Sequence, residues 1–239
     1  VLCLHNLLLV LSGRQDNARL QREKLLRDYP LNATLWWLNS FDGRSESALV
    51  QWRGLCQGRD VNALMTAGQL INWGMPALAA DMLNALDCQR TLPLYLQASL
   101  LPKAERGELV VKAIDAFPQF VRFPNTLEEV AALESIEECW FARHLLACFY
   151  YNKRSYGKAI ALWQRCVEMS PEFADGWRGL AIHAWNKQHD YELAARYLDN
   201  AYQLAPQDAR LLFERDLLDK LSGVTPEKRL ARLENNLEI

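Results

Sequence analysis

The sequence predicts an all-α protein, a right-handed superhelix of antiparallel helix pairs. Three observations carry that reading. Apolar residues recur three and four positions apart along nearly all of the 239 residues, the spacing that gathers them on one helical face. The periodic segments are short and separated by brief breaks containing Gly, Pro or Asp, as in helical hairpins. No segment keeps a period-two alternation bounded by hairpin turns, so no sheet is expected.

Taken in order, 1–11 and 16–29 form a first pair broken at Ser12-Gly13, with Pro30 as the stop. In its second helix Ala18, Arg22, Leu25 and Leu26 fall at helical spacing. Residues 32–41 carry Trp36 and Trp37 and end at Asp42-Gly43; 45–57 follows, closed by Gly58-Arg59. Asp60 is placed to cap 60–73. Gly74 separates that helix from 75–86, where Pro76 is tolerated in the first turn. Residues 92–101 and 105–117 form a shorter pair around Pro102. The stretch 117–125 (FPQFVRFPN) cannot continue a helix, because Pro118 and Pro124 remove backbone donors and push the preceding residues out of the helical region.

Thr126 can cap 127–135, whose Glu128 and Glu129 suit the helix dipole. Then 140–151 pairs with 156–169, 174–187 with 191–204, and 209–221 with 226–237. The domain reading is 1–124 as degenerate repeats and 125–239 as clear repeats with C-terminal capping helices, in one continuous stack.

Pro171 and Pro206 are stops in register, and a side-chain pattern recurs between them. Small residues sit in the first helix (Ala147, then Ala181) and the second (Ala159, then Ala194). A large residue follows (Trp163, then Leu198), then another small one (Cys166, then Ala201). Small residues belong where two helices cross closely, and large ones fill the space left over. Upstream, Ala67 and Ala79 keep the offset of Ala147 and Ala159.

A unit of this length and pattern resembles the tetratricopeptide repeat. The first match is Leu146, Ala147, Tyr150, Ala159, Trp163, Cys166 and Pro171, with Arg143 departing at the usual Trp position. The second is Trp177, Leu180, Ala181, Ala194, Leu198, Ala201 and Pro206, with one extra residue in the turn near His189. In 209–237 Arg229 and Asn236 replace small residues. The combination of FVRFPNTLEEV, the repeat pair and RLLFERDLLDKLSGVTPEKRLARLE resembles the repeat region of large bacterial proteins of the YphG type. That resemblance implies a bacterial origin and a β-rich N-terminal domain of unknown function with carbohydrate-related associations. The start at Val1, without methionine and directly on a helical pattern, predicts a fragment of a longer protein.

Composition narrows the function. Half of the residues are hydrophobic and 23% charged, which suits a folded chain. A net charge of −2 lacks the basic excess that neutralising phosphates requires, so no nucleic-acid partner is expected. The apolar opening VLCLHNLLLVL is shorter than the ~20 residues of a membrane span and lacks signal-peptide features, so no membrane partner is expected. Six cysteines occur singly, with no C-x-x-C pair, which fits a reducing, cytoplasmic location.

No catalytic site or cofactor is expected: there is no phosphate-binding glycine loop, G-x-S-x-G elbow or H-E-x-x-H. His144 and Cys148 share a helical face but supply only two local ligands, so no metal is expected. Glu128, Glu129, Glu134, Glu137 and Glu138 read as a solvated, capping face rather than an acid–base pair. The functional surface of such repeats is the groove lined by the first helix of each pair. By register His144, Tyr151, Asn152, Arg178, Trp185, Asn186 and Lys220 face it, a mixture suited to an extended peptide or acidic segment. The basic-then-Asn clamp for a terminal carboxylate is not reproduced at His144/Cys148 or Arg178/Ile182.

The expected function is therefore a non-enzymatic scaffold that binds its own N-terminal domain, a second protomer, or a partner protein or peptide. The alternative is one helical wall of a carbohydrate-active enzyme whose catalytic domain lies upstream.

Overall fold

The computed structural model describes residues 1–43, 45–57, 60–86, 89–116 and 122–234. The expected break at Gly58-Arg59, Cys88, the first part of the irregular stretch (117–121, with Pro118 and Phe120) and the end of the last helix (235–237, with Asn236) lie outside these residues. Among the described residues all regular structure is helical. Two compact units are present: Val1–Arg122 with Thr126–Ala132, and Phe123–Asn125 with Leu133–Ile239.

The first unit holds α1 (Leu2–Leu11), α2 (Gln15–Asp28), α3 (Ala33–Gly43), α4 (Glu46–Cys56), α5 (Asp60–Asn72), α6 (Pro76–Leu86), α7 (Thr91–Ser99), α8 (Gly107–Asp115) and most of α9 (Leu127–Glu134). Consecutive helices pack as the pairs α1/α2, α3/α4, α5/α6 and α7/α8. Glycine at 107 opens α8 two residues later than expected, and a short 3-10 turn, Lys103–Glu105, fills the gap after Pro102. Thr126 and Glu129 form a reciprocal capping box at the start of α9. The Glu129 N–H donates to Thr126 Oγ1 and the Thr126 N–H to Glu129 Oε2, both at 3.3 Å.

The second unit holds α10 (Trp140–Asn152), α11 (Tyr156–Met169), α12 (Ala174–His183), α13 (Tyr191–Leu204), α14 (Ala209–Leu221) and α15 (Pro226–Glu234), paired α10/α11, α12/α13 and α14/α15. The repeat-packing alanines are all buried: Ala147, Ala159, Ala194 and Ala201 at 0% exposure, Ala181 at 1%. Here the structure departs from the expectation of one helix over 174–187. The α-helical bonding stops at His183, and Ala184–Gln188 widens into a π turn that ends on His189 in the left-handed region. A π bulge takes up one inserted residue while keeping the flanking helix in register, which is where the extra residue of this repeat goes.

The same local devices recur in both units. In α1/α2 the turn residue Gly13 has φ 76°. Its N–H donates to Val10 O and that of Arg14 to Leu9 O, closing the last carbonyls of the helix. In α10/α11 Arg154 makes the matching turn at φ 62°, with N–H bonds from Arg154 to Tyr151 O and from Ser155 to Tyr150 O. The stops also match. Tyr29, Ser170 and Ala205, each before a proline, share φ between −133° and −141°, as exclusion of the helical region before proline requires. Six residues after two of these prolines, Trp36 and Trp177 donate their indole N–H to Pro30 O (2.7 Å) and Pro171 O (2.8 Å). The first two helices are therefore a regular repeat.

What differs there is the filling. In the second unit Ala147, Ala159, Trp163, Val167 and Leu180 form an apolar cluster. The corresponding positions of the first unit, in the register set by the turns and prolines, are Asn6, Ala18, Arg22, Leu26 and Asn39. Arg22 is 2% exposed and Asn6 0%. The Arg22 guanidinium donates to Asn6 Oδ1 (2.9 Å), Asn39 Oδ1 (3.1 Å) and Asp42 Oδ2 (2.5 Å). Asn6 Nδ2 donates in turn to Ala18 O (2.7 Å). A paired polar network thus stands where the clear repeats have a tryptophan and a leucine.

Candidate binding groove on the second unit

Two helices that each open a pair, α10 and α12, wall a cavity of about 490 Å³. His144, Cys148, Tyr151 and Asn152 line it from α10, and Asp175, Arg178, Gly179 and Ile182 from α12. Both sets fall at three- and four-residue spacings, so each is one helical face. Trp163 of α11 contributes to the lining from behind, and Phe123, Pro124 and Asn125 close another side.

Gly179 sets how near α12 comes to that tryptophan. A Cβ there would stand 2.6–2.7 Å from Trp163 ring atoms Cδ2 and Nε1, well inside contact distance. Gly54 in α4 has nothing within 4 Å of the same position. Helix propensity favours alanine over glycine by about 1 kcal/mol at either site, so the two substitutions should have opposite signs. Gly54→Ala is expected to stabilise by about 0.5–1 kcal/mol, and Gly179→Ala to destabilise by about 1–2 kcal/mol because overpacking exceeds the propensity gain. Urea unfolding of the two variants beside wild type checks this; a stabilised Gly179→Ala would show that Trp163 moves aside freely.

Of the residues expected to face the groove, His144, Tyr151, Asn152 and Arg178 come together in this lining. Trp185 does not: it is half-buried against the cluster of Ala181, Ala184, Ala194 and Leu198. Asn186 is exposed on the π turn and Lys220 is exposed on α14, and neither belongs to the lining. The clamp positions read by register, His144/Cys148 and Arg178/Ile182, all four face the cavity. Register alone did not single out Gly179, Asp175, Lys153 or the Phe123–Asn125 segment; the proline rule identified that segment only as irregular.

The groove's electrostatics differ from a simple basic face. Arg178 makes a two-pronged ion pair with Glu214, Nε to Oε2 at 2.8 Å and Nη2 to Oε1 at 2.5 Å. Asp175 is paired with Arg210 at 2.9 Å. The Arg178–Glu214 geometry is the strong, bidentate kind and offsets the positive charge of Arg178, while Lys153 of the same lining lies 5.6 Å over the Phe149 ring. His144, 7% exposed, lies beside Phe141 and edge-on to Phe173. Burial lowers its pKa to about 4, with Arg178 and Arg210 adding to the effect and Asp175 opposing it, so the ring is neutral near pH 7. Its Nε2 is 3.6 Å from Cys148 Sγ, whose pKa burial pushes up to about 12; the sulfur is a thiol, not a nucleophile or metal-ready thiolate. His144 Nδ1 is buried with no hydrogen-bond partner among the described residues. No group of three or more potential metal ligands is present among them.

Three residues of the acidic cluster, Glu128, Glu129 and Glu134, are engaged structurally. Glu128 accepts from Asn72 (2.6 Å), Glu129 serves the capping box and Arg122, and Glu134 accepts from Tyr150 (2.5 Å).

No protein-family model matches the chain. Among solved structures it is similar to a chain of the APC/C hetero-tetramer Cut9–Hcn1, at 16% identity and a TM-score of 0.42 over 99% of this chain. The match spans 45% of that chain. It is also similar to YrrB, a TPR protein with an unusual peptide-binding site, at 18% identity and a TM-score of 0.37, covering 81% of this chain and 97% of YrrB. A tetratricopeptide repeat protein from Parabacteroides merdae matches at 14% identity and a TM-score of 0.32, over 91% of this chain and 97% of that one. Likeness at these scores carries no argument about function. The tetratricopeptide-like fold lies in the paired helices, their shared turns and their proline stops. Among the described residues no helix is long and apolar enough to cross a membrane.

Proposed function

We propose that the second unit is a non-enzymatic interaction module whose groove receives an extended segment of another polypeptide. The observation that supports this is the cavity itself. It lies on the faces of two first helices, it mixes aromatic, amide and neutral imidazole groups, and its Arg178 and Asp175 are ion-paired within the protein, while Lys153 lies over the Phe149 ring. With Arg178 held by Glu214, such a lining favours an uncharged extended segment over the acidic one that the mixture of aromatic, amide and basic groove residues also suited. The resemblance to YphG-type proteins makes a β-rich N-terminal domain of the same polypeptide one source of that segment, with a second protomer or a separate cytoplasmic partner as others. The carbohydrate-active alternative gains no observation from the described residues.

Linear peptides selected against the chain from a displayed library test the reading. Asn152 is an exposed lining residue, so Asn152→Trp fills the groove mouth without disturbing the core. The expected result is a loss of affinity of about tenfold or more, equivalent to about 1.4 kcal/mol, with an unchanged melting temperature. Selected peptides that bind the variant and wild type equally overturn the groove as the binding surface.

A further inference from the structure

The strongest unassigned feature of the groove is its own third wall. Phe123, Pro124 and Asn125 are consecutive, non-helical, and all three line the cavity. Pro124 keeps Phe123 out of the helical region, so the chain passes the groove without coiling. Pro124 is buried, whereas Phe123 remains 47% exposed and Asn125 is exposed. The groups available opposite are Phe149, Trp163 and Ile182, the neutral His144 ring and the Cys148 thiol, together with the ion-paired Arg178 and Asp175 and with Lys153, whose ammonium lies 5.6 Å over the Phe149 ring. His144 also brings a buried ring nitrogen with no partner among the described residues, an atom that an uncharged hydrogen-bonding group could satisfy.

We propose that Phe123-Pro124-Asn125 is a ligand held in cis, and that the groove's trans partner is an extended segment of the same chemistry. That segment carries an aromatic residue, then proline, then an uncharged hydrogen-bonding side chain. This deepens the groove reading and rests on it. The cis segment sets specificity, because its neutral character matches walls that are mostly aromatic and apolar and whose Arg178 and Asp175 are ion-paired, with Lys153 set over the Phe149 ring. It also sets a threshold. A tethered segment acts at a local concentration of roughly millimolar, so a trans segment binds only by exceeding it. The cavity beside the segment, about 490 Å³, is within the usual range for an occupied site, about 300–1,000 Å³, and leaves room for the partner's flanking side chains.

The probe is a peptide copying residues 121–126 (VRFPNT), acetylated and amidated so that no terminal charge intrudes. Its binding is followed by fluorescence polarisation to the whole chain and to a variant combining Phe123→Gly, Pro124→Ser and Asn125→Gly. The variant is expected to bind the peptide about tenfold more tightly or better than wild type does, and Asn152→Trp added to it is expected to abolish the gain. Phe123→Ala serves as a second variant: the side chain is half exposed, so the fold survives its loss, and a smaller gain is expected. It decides the matter if circular dichroism shows the triple variant unfolded. Equal affinity for wild type and variants, or no binding to any, overturns the proposal. Library peptides that Asn152→Trp blocks but that are indifferent to replacement of 123–125 overturn it while leaving the groove reading standing.

Discussion

Arg22→Ala is expected to lower the unfolding free energy by about 3–5 kcal/mol, the scale for removing one partner of a buried ion pair. Arg22 is 2% exposed and Asp42, its ion-pair partner at 2.5 Å, 8%. Deleting the guanidinium leaves the Asp42 carboxylate, Asn6 Oδ1 and Asn39 Oδ1 without that donor. The decisive contrast is a variant that converts the whole network to the apolar form found in the second unit. Asn6→Ala, Arg22→Leu and Asn39→Leu, with Asp42→Asn to remove the stranded charge, should recover most of the loss. Replacing a complete buried polar set by packed apolar groups is often neutral or stabilising. Urea unfolding of the single and combined variants makes the comparison. A combined variant no more stable than Arg22→Ala would mean that the register linking Arg22 to Trp163 is wrong.

Ala159→Arg is expected to be nearly as damaging, for a different reason. Ala159 is fully buried within the cluster of Ala147, Trp163, Val167 and Leu180, where α10 and α11 cross. Overpacking alone is worth about 1–3 kcal/mol, and the guanidinium adds an unpaired buried charge, so the loss should exceed about 3 kcal/mol. At about 2–4 °C per kcal/mol for a chain of this size, the melting temperature should fall by about 10 °C. Ala161→Arg, two residues along on the exposed side of α11, is the control and should stay within about 0.5 kcal/mol of wild type. A melting temperature for Ala159→Arg equal to wild type would show that the two helices do not cross closely there.

The helices themselves were legible. Period, glycine breaks and proline stops placed 156–169, 191–204 and 209–221 at the bounds the structure gives, because those signals act through local backbone sterics. The spacing of His144, Tyr151 and Asn152 likewise placed one helical face on the cavity. Less legible was anything depending on a partner remote in sequence. Arg178 reads as a free basic group until Glu214, on another helix, is seen to hold it. Trp185 has the right register for the groove, but the π turn at Ala184–Gln188 begins just before it, and the side chain packs against Ala181 and Leu198 instead. A widened turn changes the angular position of the residues within it, Trp185 among them, and period counting assumes that no such change occurs.

The amino-acid sequence by itself determined the helix pairs, their turns and the faces on which small residues must lie, since these follow from conformational preferences and 3.6-residue periodicity. The tertiary structure decided what fills those faces and which charges of the groove are paired. The same repeat position holds Trp163, packed in an apolar cluster, in one unit and an Arg22 paired with Asn6, Asn39 and Asp42 in the other, because buried space can be filled by apolar packing or by hydrogen-bonded polar groups. The groove's charge, too, was settled only when Asp175, Arg178, Arg210 and Glu214 met in space, because an ion pair depends on distance between side chains and not on their separation along the chain.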